Sequence, residues 1–229
     1  MLCETINLCK KLKGNYIIKD VSLSIPENSI YVLAGPNGSG KSTLLKLLTR
    51  MQRPTSGEIL FNGSVLTGKD LAYIGSLIET PALYENLTAE ENLLIRTILL
   101  NIDKKSIDKI LDLVELSNAK HQIVKYFSLG MKQKLGIAIA LLNNPKFLIL
   151  DEPTNGLDPL AILNLKKIMK NFQNNGGTIL IATHILKEVN DIANYIGLLQ
   201  NGSFICQKEI KTGEDDIESI FINAIKDKI

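Results

Sequence analysis

Gly35-Pro36-Asn37-Gly38-Ser39-Gly40-Lys41-Ser42-Thr43 decides how this 229-residue chain is read. The stretch fits the pattern G-x-x-x-x-G-K-[ST]. Glycines let a backbone wrap closely around an oxyanion with its amide hydrogens pointing inward. A helix beginning near Lys41 adds the positive end of its dipole at the same spot. Lys41 can reach the β- and γ-phosphates of a nucleotide as a point charge, and the Ser42 hydroxyl can ligate Mg²⁺. The flanks match what such a cradle needs. The apolar run Ile30-Tyr31-Val32-Leu33-Ala34 before it reads as a strand buried on both faces, and Leu44-Leu45-Lys46-Leu47-Leu48 after it reads as a helix. ATP with Mg²⁺ is the expected ligand.

Outward from the loop, the first third is β-rich. Ile59-Leu60-Phe61, Asn62-Gly63 and Ser64-Val65-Leu66 form a predicted hairpin, so antiparallel pieces accompany the opening of the sheet. The middle is helical. Thr88 and Glu91 fit a capping box, residues 106–116 carry an apolar stripe at Ile107, Ile110, Leu111 and Val114, and Ser128 reads as the cap of a helix through Leu142. The last third alternates again: strand 147–150, helix 160–172, strand 178–182, helix 185–193, and a hairpin around Asn201-Gly202. Strand, helix, strand at this spacing means crossover units and a parallel sheet. The tail from Ile217 to Ile225 suits one amphipathic helix, and Glu214-Asp215-Asp216 before it reads as a solvated linker.

Composition narrows the classes. The 26 basic and 24 acidic side chains nearly cancel and Trp is absent, so nothing points to a nucleic-acid partner. Cys3, Cys9 and Cys206 form no CxxC pair and suggest neither a disulfide framework nor a zinc site. The start of the chain has no secretory signal pattern, and the apolar runs fall far short of the ~18 residues of a spanning helix. A soluble protein able to dock on a membrane partner is the expectation.

A second cluster lies at Leu148-Ile149-Leu150-Asp151-Glu152-Pro153, where two carboxylates end a buried strand. Ligands of parallel sheets bind at such ends. Asp151 can hold Mg²⁺, and Glu152 can polarise the water that attacks the γ-phosphate. With these residues in place, the chain resembles the nucleotide-binding subunit of an ATP-binding cassette (ABC) transporter over roughly residues 1–205. Residues 35–43 and the Asp151-Glu152 strand end resemble its Walker A and Walker B motifs. Ser128-Leu129-Gly130-Met131-Lys132-Gln133 resembles a variant of the family signature, Asn155-Gly156-Leu157-Asp158 the D-loop, and His184 the switch histidine.

The resemblance implies an α/β P-loop NTPase fold, with a mostly parallel core sheet, an antiparallel β subdomain and an inserted helical subdomain. Residues 1–79 and 138–206 would form the nucleotide-binding core with its β subdomain, 80–137 the helical signature subdomain, and 207–229 a helical tail. It also implies that Ser128 and Gly130 complete the γ-phosphate site of a second copy packed head to tail, with Asp158 at the same junction. Glu152, His184 and Glu79 are then the expected catalytic residues, and Ser42, Asp151 and Glu79 the metal ligands.

Two positions depart from the family pattern. Glu79, in Ile78-Glu79-Thr80-Pro81, stands where a glutamine is usual, as in the lantibiotic self-protection and bacitracin-export branch that the chain resembles. The aromatic that stacks on adenine is replaced: an ungapped comparison puts Leu12 there, with Tyr16 four residues later. The expected function is ATP hydrolysis driving a membrane transporter that expels a lantibiotic or similar antimicrobial peptide. The protein would be cytoplasmic, peripheral on the inner face of the cell membrane, bound to a membrane-spanning subunit and to a second copy of itself. A transporter of another drug or lipid, a soluble cassette ATPase without a membrane partner, and a non-cassette P-loop kinase remain alternatives.

Overall fold

A computed structural model describes residues 1–211 and 215–226, with side chains up to residue 224. Its centre is a six-stranded sheet in the order β10-β9-β3-β8-β7-β6. The strands are β3 (Ile30–Ala34), β6 (Ile74–Leu77), β7 (Phe147–Asp151), β8 (Thr178–Thr183), β9 (Tyr195–Gln200) and β10 (Ser203–Glu209). All pair in parallel except β10, which returns antiparallel on β9. Alternate residues of β3, β7 and β8 enter two different cores. Ile30, Val32, Leu148, Leu150, Ile179 and Ile181 face one; Tyr31, Leu33, Phe147, Ile149 and Leu180 face the other. That double burial explains their unbroken apolar runs.

The second sheet is antiparallel, in the order β2-β1-β4-β5, from β1 (Cys3–Leu12), β2 (Asn15–Ile25), β4 (Ser56–Phe61) and β5 (Ser64–Val65). Helix α1 (Lys41–Leu48) is packed between the two sheets, with Leu44, Leu45, Leu47 and Leu48 fully buried. Each such leucine contributes about 1.5–3 kcal/mol by leaving water, so the helix behind the phosphate loop is anchored along its whole length.

The inserted block holds α2 (Ala89–Leu100), α3 (Ser106–Leu113) and the start of α4 (Leu129–Leu141). The Thr88–Glu91 capping box is formed in both directions. Helix α4 then runs without a break into the core and lies on β6, so the expected boundary at residue 138 falls inside it. Gly75 of β6 makes the approach possible, since a Cβ there would sit 2.1 Å from the carbonyl oxygen of Ala140. Helix α5 (Pro159–Asn174) links β7 to β8, and α6 (Ile217–Lys226) closes the described chain.

The structure differs from the sequence reading at three places. Residues 185–193 do not form a helix; one 3₁₀ turn, Leu186–Glu188, is followed by further tight turns. The backbone bonds of this stretch are mostly of the short i→i−3 kind, from the Glu188, Val189 and Ile192 amides to the Ile185, Leu186 and Val189 carbonyls, the tight pattern of 3₁₀ turns. The acidic run is not simply solvated at its described positions. Asp215 accepts the Lys211 amide, and Asp216 accepts the Glu218 amide and the Ser219 hydroxyl at the start of α6; Glu214 lies outside the described residues. Strand β10 continues to Glu209, past the expected boundary at 206.

Candidate nucleotide site

The carboxyl ends of β3, β7, β8 and β6 bring together residues far apart in sequence. After β3 the chain turns through residues 35–40, and Gly40, at φ 108°, hands it to α1. That left-handed conformation suits a residue without Cβ. Lys41 is buried, and its ammonium donates to the Gly35 and Pro36 carbonyl oxygens at 2.7 and 3.3 Å. Its charge also lies 3.5 Å from Glu152 Oε1.

Asp151 ends β7 and is 4% exposed. Burial raises its carboxyl pKa; the Ser42 hydroxyl bond opposes this, the charge of Glu152 adds to it, Lys41 opposes it and Glu79 adds to it. Its Oδ1 is buried without a hydrogen-bond partner. An orphaned, desolvated carboxylate oxygen beside a hydroxyl fits a divalent cation shared with phosphate oxygens.

Glu152 follows at φ 46°, left-handed for a residue with a side chain, which stores on the order of 1–3 kcal/mol of strain. The backbone is held there by bonds from the Glu152 amide to the Ala182 carbonyl (2.8 Å) and from the Asn155 amide to the Glu152 carbonyl (3.1 Å). The twist delivers the carboxylate between two partners. Oε1 faces Lys41, while Oε2 meets His184 Nδ1 at 2.9 Å and accepts the His184 amide at 3.4 Å. His184 stands immediately after β8, so a strand end sets its position. Glu79, two residues past β6, also has a positive φ, 62°, and pairs with Lys46 at 2.6 Å.

A cleft of about 420 Å³ opens over the loop, lined by Leu12, Ile17, Asn37, Gly38, Gly40, Lys41, Ser42, Thr43 and Glu152. Leu12 therefore faces the expected ligand. Tyr16 does not line the cleft; it is 45% exposed, with the Lys11 ammonium 4.2 Å from its ring centroid. The β1–β2 turn pairs Lys11 with Tyr16, and the period of two turns Ile17 to the other face. That register could have revealed Ile17. Lys46 was equally readable, four residues after Ser42 on a predicted helix. A larger cleft of about 550 Å³ lies at the opposite strand ends, around Tyr73, Lys146 and Phe172, and contains no motif residue.

Ser128, Gly130 and Asp158 gather elsewhere, in a depression of about 460 Å³ shared with Lys134, Leu160 and Asn164. Ser128 Oγ caps α4 through the Met131 amide at 3.2 Å, and Asp158 caps α5 through the Ala161 amide at 2.9 Å. None of the residues lining it comes from the phosphate loop. One chain thus carries two groups of candidate residues that it does not itself bring into contact.

Comparison with known proteins gives consistent relatives. A family profile described as ABC transporter matches residues 18–155. The lantibiotic transport ATP-binding protein SrtF of Streptococcus pyogenes is 47% identical over 219 residues, 96% of this chain and 95% of that protein. The bacitracin transport ATP-binding protein BcrA of Bacillus licheniformis is 39% identical over 209 residues, 89% of this chain and 68% of that one. Among solved structures, an ATP-binding subunit of an ABC transporter superposes with TM-score 0.87 at 28% identity, covering 98% of this chain and all of the other. A dimeric ATP-binding cassette in a post-hydrolysis state with ADP and Pi gives 0.83 at 26% identity, covering 92% and 99%.

Proposed function

This chain belongs to the ABC transporter family as an ATP-binding subunit, and from that premise we propose that its transporter expels a lantibiotic or similar antimicrobial peptide. It hydrolyses ATP and works with a membrane-spanning subunit and a second cassette. The cargo rests on one observation, the 47% identity to SrtF along nearly the whole of both chains. No described helix is long and apolar enough to cross a membrane, which supports a cytoplasmic subunit held at the inner face by its partner.

The proposed chemistry uses the two groups of residues together. Lys41 and the amides of residues 35–43 orient the triphosphate at the N-terminus of α1. Ser42, Asp151 and Glu79 would hold Mg²⁺, which would draw charge from the phosphate oxygens. Glu152 accepts the proton of the attacking water as that water bonds to the γ-phosphorus, and ADP leaves. His184 fixes the carboxylate of Glu152 and keeps one of its oxygens engaged. Ser128 and Gly130 of the second copy bind the γ-phosphate oxygens from the N-terminus of that copy's α4, and Asp158 holds the junction beside them. Two such sites close by a two-fold axis into a homodimer. Leu12 and Ile17 form the apolar wall for the adenine, while Tyr16 lies on the outer face of the hairpin.

Peptide challenge tests the cargo. Cells carrying the chain and its membrane partner should tolerate a lantibiotic that kills cells lacking the chain, and Lys41→Ala should remove the protection. The identity to BcrA makes bacitracin the competing cargo. Protection against bacitracin alone would replace the lantibiotic reading, and protection against neither would remove both.

A further inference from the structure

Lys46 carries a charge that the chemistry above does not use. It lies on α1 four residues after Ser42, one helical turn from the hydroxyl bonded to Asp151. Its ammonium reaches across to Glu79 Oε1 at 2.6 Å, closer than Lys41 stands to Glu152. The Glu79 side chain is 61% exposed, and that of Lys46 only 27%. Backbone geometry contributes as well: Glu79 holds φ 62° just past the end of β6, a conformation that an ordinary loop residue seldom takes. Glu152 lines the cleft, Asp151 lies buried beside Ser42, and Glu79 is near enough for its charge to act on Asp151. A triphosphate arriving there comes under the charge of three carboxylates, one lining the cleft and two close behind it. Lys41 faces one of them, and Lys46 faces another.

We infer that Lys46 is a positioning residue, which holds the Glu79 carboxylate against α1 and cancels its charge so that a nucleotide triphosphate can approach the loop. The inference rests on the proposed reading of Glu79 as part of the nucleotide site. An isolated positive charge would attract phosphate wherever it stood. A positioning residue acts through its partner, and its effect disappears when the partner is neutral.

A double-mutant cycle on the full chain separates these. Binding of a fluorescent ATP analogue is measured at low salt, with Mg²⁺ and with EDTA, for the parent, Lys46→Ala, Glu79→Gln and the double variant. Lys46→Ala should weaken binding about three- to fivefold, the range open to a partly exposed pair. In the Glu79→Gln background the same substitution should change affinity by less than about 1.5-fold. Lys46→Arg should restore the parent value, and salt near 1 M, with a Debye length of about 3 Å, should shrink the difference. Equal losses in both backgrounds would show Lys46 to be a simple phosphate attractor and overturn the inference. No loss in either background would overturn it too. Lys46→Gln serves as a second neutral variant should Lys46→Ala fold poorly. The underlying reading fails separately: if Glu79→Gln leaves the ratio of affinities with and without Mg²⁺ unchanged, Glu79 is not a metal contact, and the cycle still decides the pairing.

Discussion

The Glu152 centre and the Ser128 depression are built on opposite principles. Around Glu152 the backbone is strained, a carboxylate is buried, and each oxygen of the neighbouring glutamate has a charged or imidazole partner within 3.5 Å. Ser128 and Asp158 themselves are unstrained, and the one left-handed side-chain-bearing residue lining their depression, Glu115 at φ 57°, belongs to neither cap. Ser128 and Asp158 cap helices in extended conformations, and their side-chain oxygens are already satisfied by amides of their own chain. Strain persists only where surrounding structure over-determines it. The first region is therefore a chemical device complete in most of its parts. The second is an ordinary pair of helix ends, and its use depends on what is placed against it.

The sharpest way to break this contrast is Glu152→Gln. Turnover measured by phosphate release should fall by ~10²–10⁴-fold, the loss expected for a positioned base, while ATP binding persists and the ATP-bound dimer accumulates on sizing. Unchanged turnover would reduce the strained centre to a structural feature. Gly130→Asp probes the other side. A side chain fits at Gly130, because the nearest atoms to a Cβ are Leu157 Cδ2 at 3.6 Å and Ala161 Cβ at 3.8 Å. The fold should survive, and single-subunit nucleotide affinity should stay at the parent value. ATP-driven dimerisation should be lost, with turnover down about 10²-fold, as for removal of a charge-stabilising contact. A drop in single-subunit affinity would mean that the two regions are not separate.

Asp151→Asn gives the smallest effect, and of the opposite sign. Burial raises the Asp151 pKa, so between the unfolded and folded pKa values the folded chain binds more protons than the unfolded one. Stability contributed by this group is then greatest at low pH and falls as pH rises through that window. Removing the charge should raise the melting temperature of the ligand-free chain at neutral pH by roughly 2–4 °C, about 1 kcal/mol for a chain of this size. The same variant should lose the Mg²⁺ dependence of nucleotide binding. A lower melting temperature would show that the charge is compensated in the folded chain.

The phosphate loop was readable because its glycines, lysine and serine are fixed by backbone needs and stand between two strongly apolar runs. The Thr88 cap was readable for the same local reason. Strands β1 and β2 were not resolved individually. Their register shifts near Asn7 and Asp20, which have φ 46° and 48°, interrupt the alternation that marks a strand. Tyr16 was open between a base-stacking and a strand position because residue type does not fix which face a ring takes; the turn register does, and Tyr16 lies in β2 outside the cleft lining. The left-handed backbone of Glu152 and Glu79 left no trace in residue type, since φ at a non-glycine residue is imposed by tertiary contacts.

Helix α4 has a mechanical meaning that reaches beyond packing. Its outer end carries Ser128, its shaft at Gly136 lies where a Cβ would come within 2.9 Å of Pro81, and its inner end touches Gly75. Pro81 and Gly75 flank Glu79 in the chain, so the helix grips both sides of the segment that bears this carboxylate. Close-packed interiors transmit displacement instead of absorbing it. If the second copy presses on Ser128 as proposed, α4 is placed to act as a crankshaft keyed to the Glu79 segment, and bulk added at Gly75 or Gly136 would strip the key.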